Sequence, residues 1–132
     1  MAQTEALTNE GFGEAGKLLS GEAATAVKSV CALKTSCTAD NTQTSAGVTK
    51  CTESGLTLAD ADTVASAKTT VNNDTVQLDH KFTAGEAATV KGHGVWNDDD
   101  DALYAICCYA ADISMVKDDT LTVQTKVQVK AD

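Results

Sequence analysis

Proline is absent from this chain of 132 residues, and so is arginine, because all ten basic residues are lysines. Without proline, slow prolyl isomerisation cannot limit folding. Without arginine, the chain lacks the forked donor that recognises phosphates and guanines. The aromatic fraction is only 4%, so we expect a core of small and β-branched side chains, which suit sheets.

Long apolar runs are missing as well. No stretch approaches the roughly 20 apolar residues of a membrane-spanning helix. The first residues, Met1–Glu5, lack the basic and then apolar order of a secretory signal peptide. We therefore expect a soluble protein that is made in the cytosol.

The charge balance excludes two classes of partner. Nineteen acidic residues face ten lysines, which gives a net charge of −9. A chain this acidic is repelled by the backbone of nucleic acids and by anionic lipids. We expect neither a nucleic-acid partner nor a membrane partner, and we attribute the acidity to solubility of the exposed faces.

The pattern of apolar residues predicts one domain over residues 1–132, with an N-terminal helical segment at 1–21 and a long polar loop at 34–52. The end of the chain alternates as a strand with one wet face does. Its apolar side carries Leu121, Val123, Val127 and Val129, and its polar side carries Thr122, Gln124, Lys126, Gln128 and Lys130. The predicted fold class is mainly β: a small antiparallel β-sandwich with one N-terminal helix.

The helix is expected from Leu7 to Gly21, with Thr8 or Asn9 as its N-cap and Gly21 as its end. Its three internal glycines each cost about 1 kcal/mol relative to alanine, so the helix needs a surface to pack on. A strand is predicted at Val27–Leu33, and the polar loop from Lys34 to Thr52 follows it.

Two hairpins are predicted after the loop. The first joins strands at Val64–Val71 and Thr75–Phe82. The second joins Thr89–Trp96 to Ala102–Ala110 through an acidic turn. Because Ala102–Ala110 is apolar on both faces, we place it in the middle of a sheet.

No residue pattern indicates catalysis, and no cofactor is expected. The Gly-x-Ser-x-Gly turn of serine hydrolases is missing, and so is a phosphate-binding loop. His80 alternates with apolar residues and is interpreted as a satisfied, half-buried side chain. His93 lies between two glycines and indicates close strand packing or a bulge.

No metal site is expected either. The four aspartates from Asp98 to Asp101 are consecutive, unlike the spaced oxygen ligands of a calcium loop. We interpret them as a solvated hairpin tip. The five cysteines form no pair of Cys-x-x-Cys motifs, which argues against a zinc site.

Several short motifs follow one another along the chain. They are Leu7-Thr8-Asn9-Glu10-Gly11, then Val30-Cys31-Ala32-Leu33 before a Thr/Gly/Ala-rich loop, then Phe82-Thr83-Ala84-Gly85-Glu86-Ala87, Gly94-Val95-Trp96-Asn97 and Lys117-Asp118-Asp119-Thr120-Leu121-Thr122-Val123. By these motifs the chain resembles small virion proteins of tailed phages, described as tail-fibre, minor structural or capsid-decorating proteins. It departs from them at Lys34-Thr35-Ser36, where a Gly-x-Gly is usual, and in its five cysteines.

The resemblance implies a non-enzymatic protein of the virion, assembled in the host cytoplasm. The first expectation is a capsid decoration or cement protein, which acts as a symmetric homo-oligomer such as a trimer and contacts the major capsid protein. The alternative is a tail-fibre or baseplate component that contacts tail proteins and binds a receptor. A secreted adhesion domain is a third possibility, disfavoured because no signal peptide is found.

Two sets of residues are expected to serve assembly. The helix would contact neighbours through Leu7, Phe12, Leu18 and Leu19, and the 34–52 loop would dock beside it. Because a virion leaves the reducing cytosol, we expect disulfides within the loop or between subunits, with Cys37, Cys51 and Cys31 as candidates. Cys37 and Cys51 lie in or beside the polar loop, where we expect their thiols to be accessible to solvent. Cys107 and Cys108 are neighbours in a strand and point to opposite faces, so they should not bond each other, and one of them is interpreted as core.

Overall fold

A computed structural model describes residues 3–129 of the chain. Lys130, which we assigned to the polar side of the last strand, lies outside them. Eight strands and one helix follow one another in this order: β1 (Thr4–Leu7), α1 (Asn9–Ser20), β2 (Val27–Leu33), β3 (Ala59–Asp60), β4 (Thr63–Ala67), β5 (Thr75–Thr83), β6 (Ala88–Asn97), β7 (Leu103–Met115) and β8 (Thr120–Gln128).

The strands form two antiparallel sheets. The larger sheet has the order β1-β7-β6-β2-β3, and the smaller has the order β4-β5-β8. The prediction of a mainly β, sandwich-like fold with one N-terminal helix is confirmed. The apolar strand β7 lies between β1 and β6, inside the larger sheet as predicted.

The inner core lies between the two sheets. Alternation within each strand places Val30 and Ala32 of β2 opposite Leu78 and Phe82 of β5, and Val123 of β8 joins them. All five side chains are buried. Small and β-branched residues dominate this layer, in agreement with the low aromatic content.

A second core covers the other face of the larger sheet. It contains Leu33, Trp96, Leu103 and Ile106, all buried. The segment that follows β2 lies over these side chains, because its partly buried apolar residues Ala39, Val48 and Leu58 pack against them. The larger sheet is therefore buried on both faces in its middle strands, which explains why β7 is apolar on both sides.

The predicted 34–52 loop thus packs on its own chain. The indole Nε1 of Trp96 donates a hydrogen bond to Ser45 Oγ at 2.8 Å, and Lys50 Nζ lies 5.3 Å from the centre of the Trp96 rings. The Asn41 carbonyl accepts a hydrogen bond from the Asn9 amide at 2.8 Å. The loop is polar in composition because its outer side is exposed to solvent, whereas side chains such as Ser45 and Lys50 attach it to the sheet.

The helix is shorter than predicted at its start. Thr8 is the N-cap, and its hydroxyl accepts from the Gly11 amide at 3.0 Å, whereas Gly21 ends the helix in the left-handed conformation. Both predicted caps are confirmed. Leu7, however, belongs to strand β1, which the sequence pattern did not predict because four residues are too few for a period to show.

The first hairpin also differs from its prediction. Strand β4 ends at Ala67, and Val71 lies in the turn with an exposed side chain. The cause is Asp74, whose carboxylate accepts hydrogen bonds from the amides of Thr69 and Thr70 at 2.8 and 2.9 Å. The chain wraps around this carboxylate instead of continuing the ladder.

The second hairpin is as predicted near its turn, but β7 continues to Met115. Its pairing with β6 is interrupted between Val90 and Gly92. Within residues 3–129, the helix α1 is too short and too polar to cross a membrane, and the structure there contains no other helix.

Candidate functional site

The first turn of α1 attaches the helix to the hairpin of β6 and β7. The Thr8 hydroxyl donates to the Leu103 carbonyl, and the Thr8 amide donates to the Tyr104 carbonyl at 3.1 Å. Glu10 Oε1 accepts from the amides of Leu103 and Ser45 at 3.0 and 2.7 Å, so one carboxylate joins the helix, β7 and the loop. Gly11 is buried here, since a Cβ at that position would lie 2.6 Å from the Tyr104 carbonyl oxygen.

Beyond this turn the helix leaves its apolar side chains in solvent. Phe12 is 59% exposed, Leu18 is 43% exposed and Leu19 is 91% exposed. Leu7, just before the helix, is 37% exposed. We call these four residues the helix patch. Every residue predicted to serve assembly through the helix is therefore accessible.

The helix patch contains an apolar stripe. Phe12 and Leu19 are seven residues apart, and Ala15 and Gly16 lie between them, so the four share one side of the helix. A Cβ added at Gly16 would meet nothing within 4 Å. The charged side chains of the helix, including Glu14 and Lys17, which lie 3.5 Å apart, project from the opposite side. The stripe is thus uncharged, and the open space at Gly16 lets another protein surface approach the helix.

Of the three predicted disulfide candidates, Cys37 forms a disulfide, but its partner was not among them. Cys37, in the loop, is bonded to Cys108 of β7. The predicted candidates Cys31 and Cys51 are buried free thiols, so the expectation that Cys51 is accessible is wrong. Its backbone amide donates to the Ala32 carbonyl at 2.8 Å, which holds it in the inner core. Cys107 and Cys108 are not bonded to each other, as expected from their opposite directions.

Burial makes the three free thiols poor nucleophiles. It raises the pKa of Cys31 to about 12, and the nearby Cys51 adds to the effect. Burial likewise raises the pKa of Cys51 and of Cys107 to about 11, with acidic neighbours as the second cause. All three are therefore protonated at neutral pH. Because the thiolate is the nucleophile, these protonated thiols react poorly.

His93 is fixed between the sheets. Its Nδ1 lies 2.8 Å from the Tyr109 hydroxyl, and its Nε2 lies 3.0 Å from Thr125 Oγ1 on β8. Burial lowers the pKa of His93 to about 4 and raises the pKa of Tyr109 above its ordinary value. The flanking Gly92 is needed because a Cβ would collide with the Cys107 carbonyl of β7. The prediction of close packing and a bulge at this point is confirmed.

His80 differs from its prediction. It is buried, and its Nδ1 makes no hydrogen bond within the described part of the chain. The nearest carboxylate oxygen, Oδ1 of Asp62, lies 3.2 Å away without hydrogen-bond geometry. The ring instead packs edge-on against Phe82, with 4.5 Å between the ring centres. The interpretation as a half-buried histidine with satisfied nitrogens is therefore wrong.

The acidic turn is a solvated tip. Asp98, Asp99, Asp100 and Asp101 are exposed, and the buried Asn97 organises the turn by accepting from the amides of Asp101 and Ala102. Across residues 3–129, no group of three or more His, Cys, Asp or Glu side chains is placed to hold a metal ion.

A cavity of about 290 Å³ opens at one edge of the sandwich, between β8 and the inner face of β1 and β7. Its floor includes His93, Cys107 and Glu5, which lie side by side across three strands. Nothing in the local sequence pattern indicated this cavity, because it depends on the pairing of β1 with a strand almost a hundred residues later.

Comparisons with protein-family models, with curated proteins and with solved structures give no match for this chain.

Proposed function

We propose that this protein is a non-enzymatic structural component of a bacteriophage virion, and specifically a capsid decoration or cement protein on the particle surface. The observation that carries the proposal is the exposed helix patch of Leu7, Phe12, Leu18 and Leu19. The virion itself is suggested by the motif resemblance, and the helix patch supplies a surface with which such a protein could attach.

The arrangement of the helix favours attachment over stability. A helix that packed for stability alone would bury its apolar stripe against its own sheet. Here Gly11 is the one helical residue that is fully buried, whereas Leu19 is almost fully exposed. The rigid first turn holds the exposed stripe at a fixed angle, so a partner can bind it without first ordering it.

The size of the helix patch argues for several copies acting together. Burial of Phe12 and Leu19 on a partner would contribute roughly 1.5–3 kcal/mol each. Association costs an estimated 4–15 kcal/mol in lost freedom, so one helix would bind weakly. A homo-oligomer such as a trimer presents the stripe several times, and linked binding raises the overall affinity without new contacts. The partner would be the major capsid protein.

The disulfide is consistent with an extracellular particle. Bonds such as Cys37–Cys108 persist in oxidising surroundings and are rare in the cytosol. A released virion meets this condition even though its proteins are made in a reducing compartment.

The tail-fibre or baseplate alternative has less support from the surface. Receptor and glycan sites use exposed aromatic side chains. Trp96, Phe82 and Tyr104 are buried, Tyr109 is partly buried, and Phe12 on the helix is exposed. A single exposed aromatic residue on an apolar stripe suits protein contact better than a sugar platform.

The test is the copy number of this protein in purified particles, measured by quantitative mass spectrometry against the major capsid protein. A number comparable to that of the capsid subunit is expected for a decoration protein. A handful of copies would favour the tail or baseplate alternative. Complete absence from particles would overturn the virion proposal.

A variant pair isolates the helix patch. Phe12→Ser with Leu19→Ser should reduce the copy number per particle. The matched control is Val71→Ser with Val116→Ser, because these valines are 61% and 60% exposed in turns away from the helix. An equal copy number for both double variants would contradict a role for the helix.

A further inference from the structure

The cavity at the edge of the sandwich has the layout of a missing strand. Two cross-strand rows form its floor: Val95, Ala105 and Leu7 in one row, and His93, Cys107 and Glu5 in the next. One long wall is the edge of β8 from Gln124 to Gln128. We call this space the edge slot, defined by the two rows and by β8.

Strand β8 has an open edge along the edge slot. It pairs with β5 over all nine residues without a register shift. No strand within residues 3–129 pairs with its other side. The other edge strands are shorter, with four residues in β1, two in β3 and five in β4. β8 carries one lysine and no proline or bulge, so it has little protection against further pairing.

We propose that the edge slot binds an extended segment of a partner protein, which adds to the smaller sheet as a strand beside β8. Such strand addition takes its affinity from main-chain hydrogen bonds and its specificity from alternate side chains. The added strand would also cover the inner face of β7 and β1, which extends past β8.

The shape of the slot excludes a second folded copy. The hydrogen bond between His93 of β6 and Thr125 of β8 places these strands opposite each other. β7 and β1 follow β6 in the larger sheet, so they extend about 10 Å beyond β8 at roughly 4.8 Å per strand. Two copies joined through β8 would bring both extensions into the same space. A single segment with no sheet behind it avoids this overlap.

The two rows specify the chemistry of the segment. Its inward side chains at one end lie over Val95, Ala105 and Leu7, and should be small or medium and apolar. At the other end they meet Glu5, the carboxylate of the second row. His93 is neutral at pH 7 because burial lowers its pKa to about 4, and the Cys107 thiol stays protonated because burial raises its pKa to about 11. A lysine or arginine facing Glu5 therefore completes the match, and it also suits a chain of net charge −9.

This inference is independent of the virion proposal. The edge slot lies between the sheets, whereas Phe12, Leu18 and Leu19 of the helix patch lie on α1; Leu7 of β1 is the one residue that belongs to both. Peptide binding is measured on the purified protein and copy number on particles, so either result can fail without the other.

The test is an NMR titration of the ¹⁵N-labelled protein with a short peptide of alternating threonine and valine whose central valine is replaced by lysine. We expect saturable shifts confined to the amides of β8, β1 and the adjoining half of β7. A second peptide with glutamate in place of the lysine should bind about tenfold more weakly. A third with a central proline should not bind, because proline removes a donor and breaks the ladder.

The charge of the slot is tested with Glu5→Lys, an exposed position whose change should leave the fold intact. This variant should prefer the glutamate peptide. Asp99→Lys at the exposed hairpin tip changes the net charge equally and should keep the lysine preference. The proposal would be overturned if the peptide produced no saturable amide shifts, or if the shifts lay outside β8, β1 and β7. It would also be overturned if Glu5→Lys and Asp99→Lys preferred the same peptide. A second copy of the chain would be the occupant if the protein sedimented as a dimer and if raising the protein concentration alone shifted the amides of β8. That result would also overturn the proposal.

Discussion

Cys37 and Cys108 join the polar loop to the middle of the larger sheet through a bond that closes 71 residues of chain. The loop lies on the second core, where Cys37 and Val48 pack beside Leu33 and Ile106. The disulfide therefore holds the loop against the middle strands of the larger sheet.

Reduction of this bond should destabilise the protein. In the chain-entropy account a loop of this length contributes about 4 kcal/mol, and measured values are often smaller. We expect dithiothreitol to lower the free energy of unfolding by about 2–4 kcal/mol in guanidinium titrations. The double variant Cys37→Ser, Cys108→Ala should show the reduced stability in both conditions. An unfolding midpoint that does not depend on reductant would contradict this prediction.

The fold could be predicted largely because its strands alternate locally. β5 and β8 each carry an apolar and a polar side, and Thr8 and Gly21 define the ends of the helix by well-understood capping. These are short-range signals. The missed strand β3 has two residues, which is below the length at which any period can be seen.

The errors concern contacts between distant residues. The loop at 34–52 looks like a solvated segment, yet Ser45 contacts Trp96 and Cys37 bonds Cys108. Cys51 was expected in solvent because its sequence neighbours are polar, but the loop returns to the sheet there and buries it. The edge slot is a further case, since it depends on the register of Glu5 with Cys107. Local patterns report which side of a strand is wet, not which strand lies beside it.

The glycines of α1 should respond in opposite ways to the same added methyl group. Gly11→Ala places a Cβ 2.6 Å from the Tyr104 carbonyl oxygen, so we expect a loss of about 1–3 kcal/mol from overpacking. Gly16→Ala meets nothing within 4 Å and should gain up to about 1 kcal/mol of helix propensity. Urea unfolding of both variants measures the difference. A Gly11→Ala protein as stable as Gly16→Ala would mean that the first turn does not pack as described.

Asp74 should make the first hairpin sensitive to acid. Hydrogen bonds from the backbone amides of Thr69, Thr70 and Val71 hold the pKa of its carboxyl well below its ordinary value of 3.8. A carboxyl whose pKa is lowered by folding stabilises the protein above that ordinary value, and this contribution is lost as the pH falls toward the folded pKa. Asp74→Asn should therefore lower the unfolding midpoint at neutral pH, with the gap to the wild type narrowing below pH 3.8. Asp99→Asn at the exposed tip is the control and should leave the unfolding midpoint unchanged both at neutral pH and below pH 3.8.

His93 should make the stability depend on pH in a range above that of Asp74. Burial lowers its pKa from 6.5 to about 4. Between these values the unfolded chain binds a proton that the folded protein refuses, so stability falls as the pH falls. The full loss is about 3 kcal/mol, at 1.36 kcal/mol for each pH unit. His93→Gln removes the titrating ring and should flatten the curve of unfolding free energy against pH between pH 6.5 and about 4. At neutral pH this variant should be less stable than the wild type, because its contacts to Tyr109 and Thr125 are weakened. The matched control is Val90→Ala, a buried core position without a titrating group, which should lower the stability and keep the wild-type slope. If both variants kept that slope, His93 would not be the group that resists protonation, and its position between the sheets would have to be more accessible to water than the fold indicates.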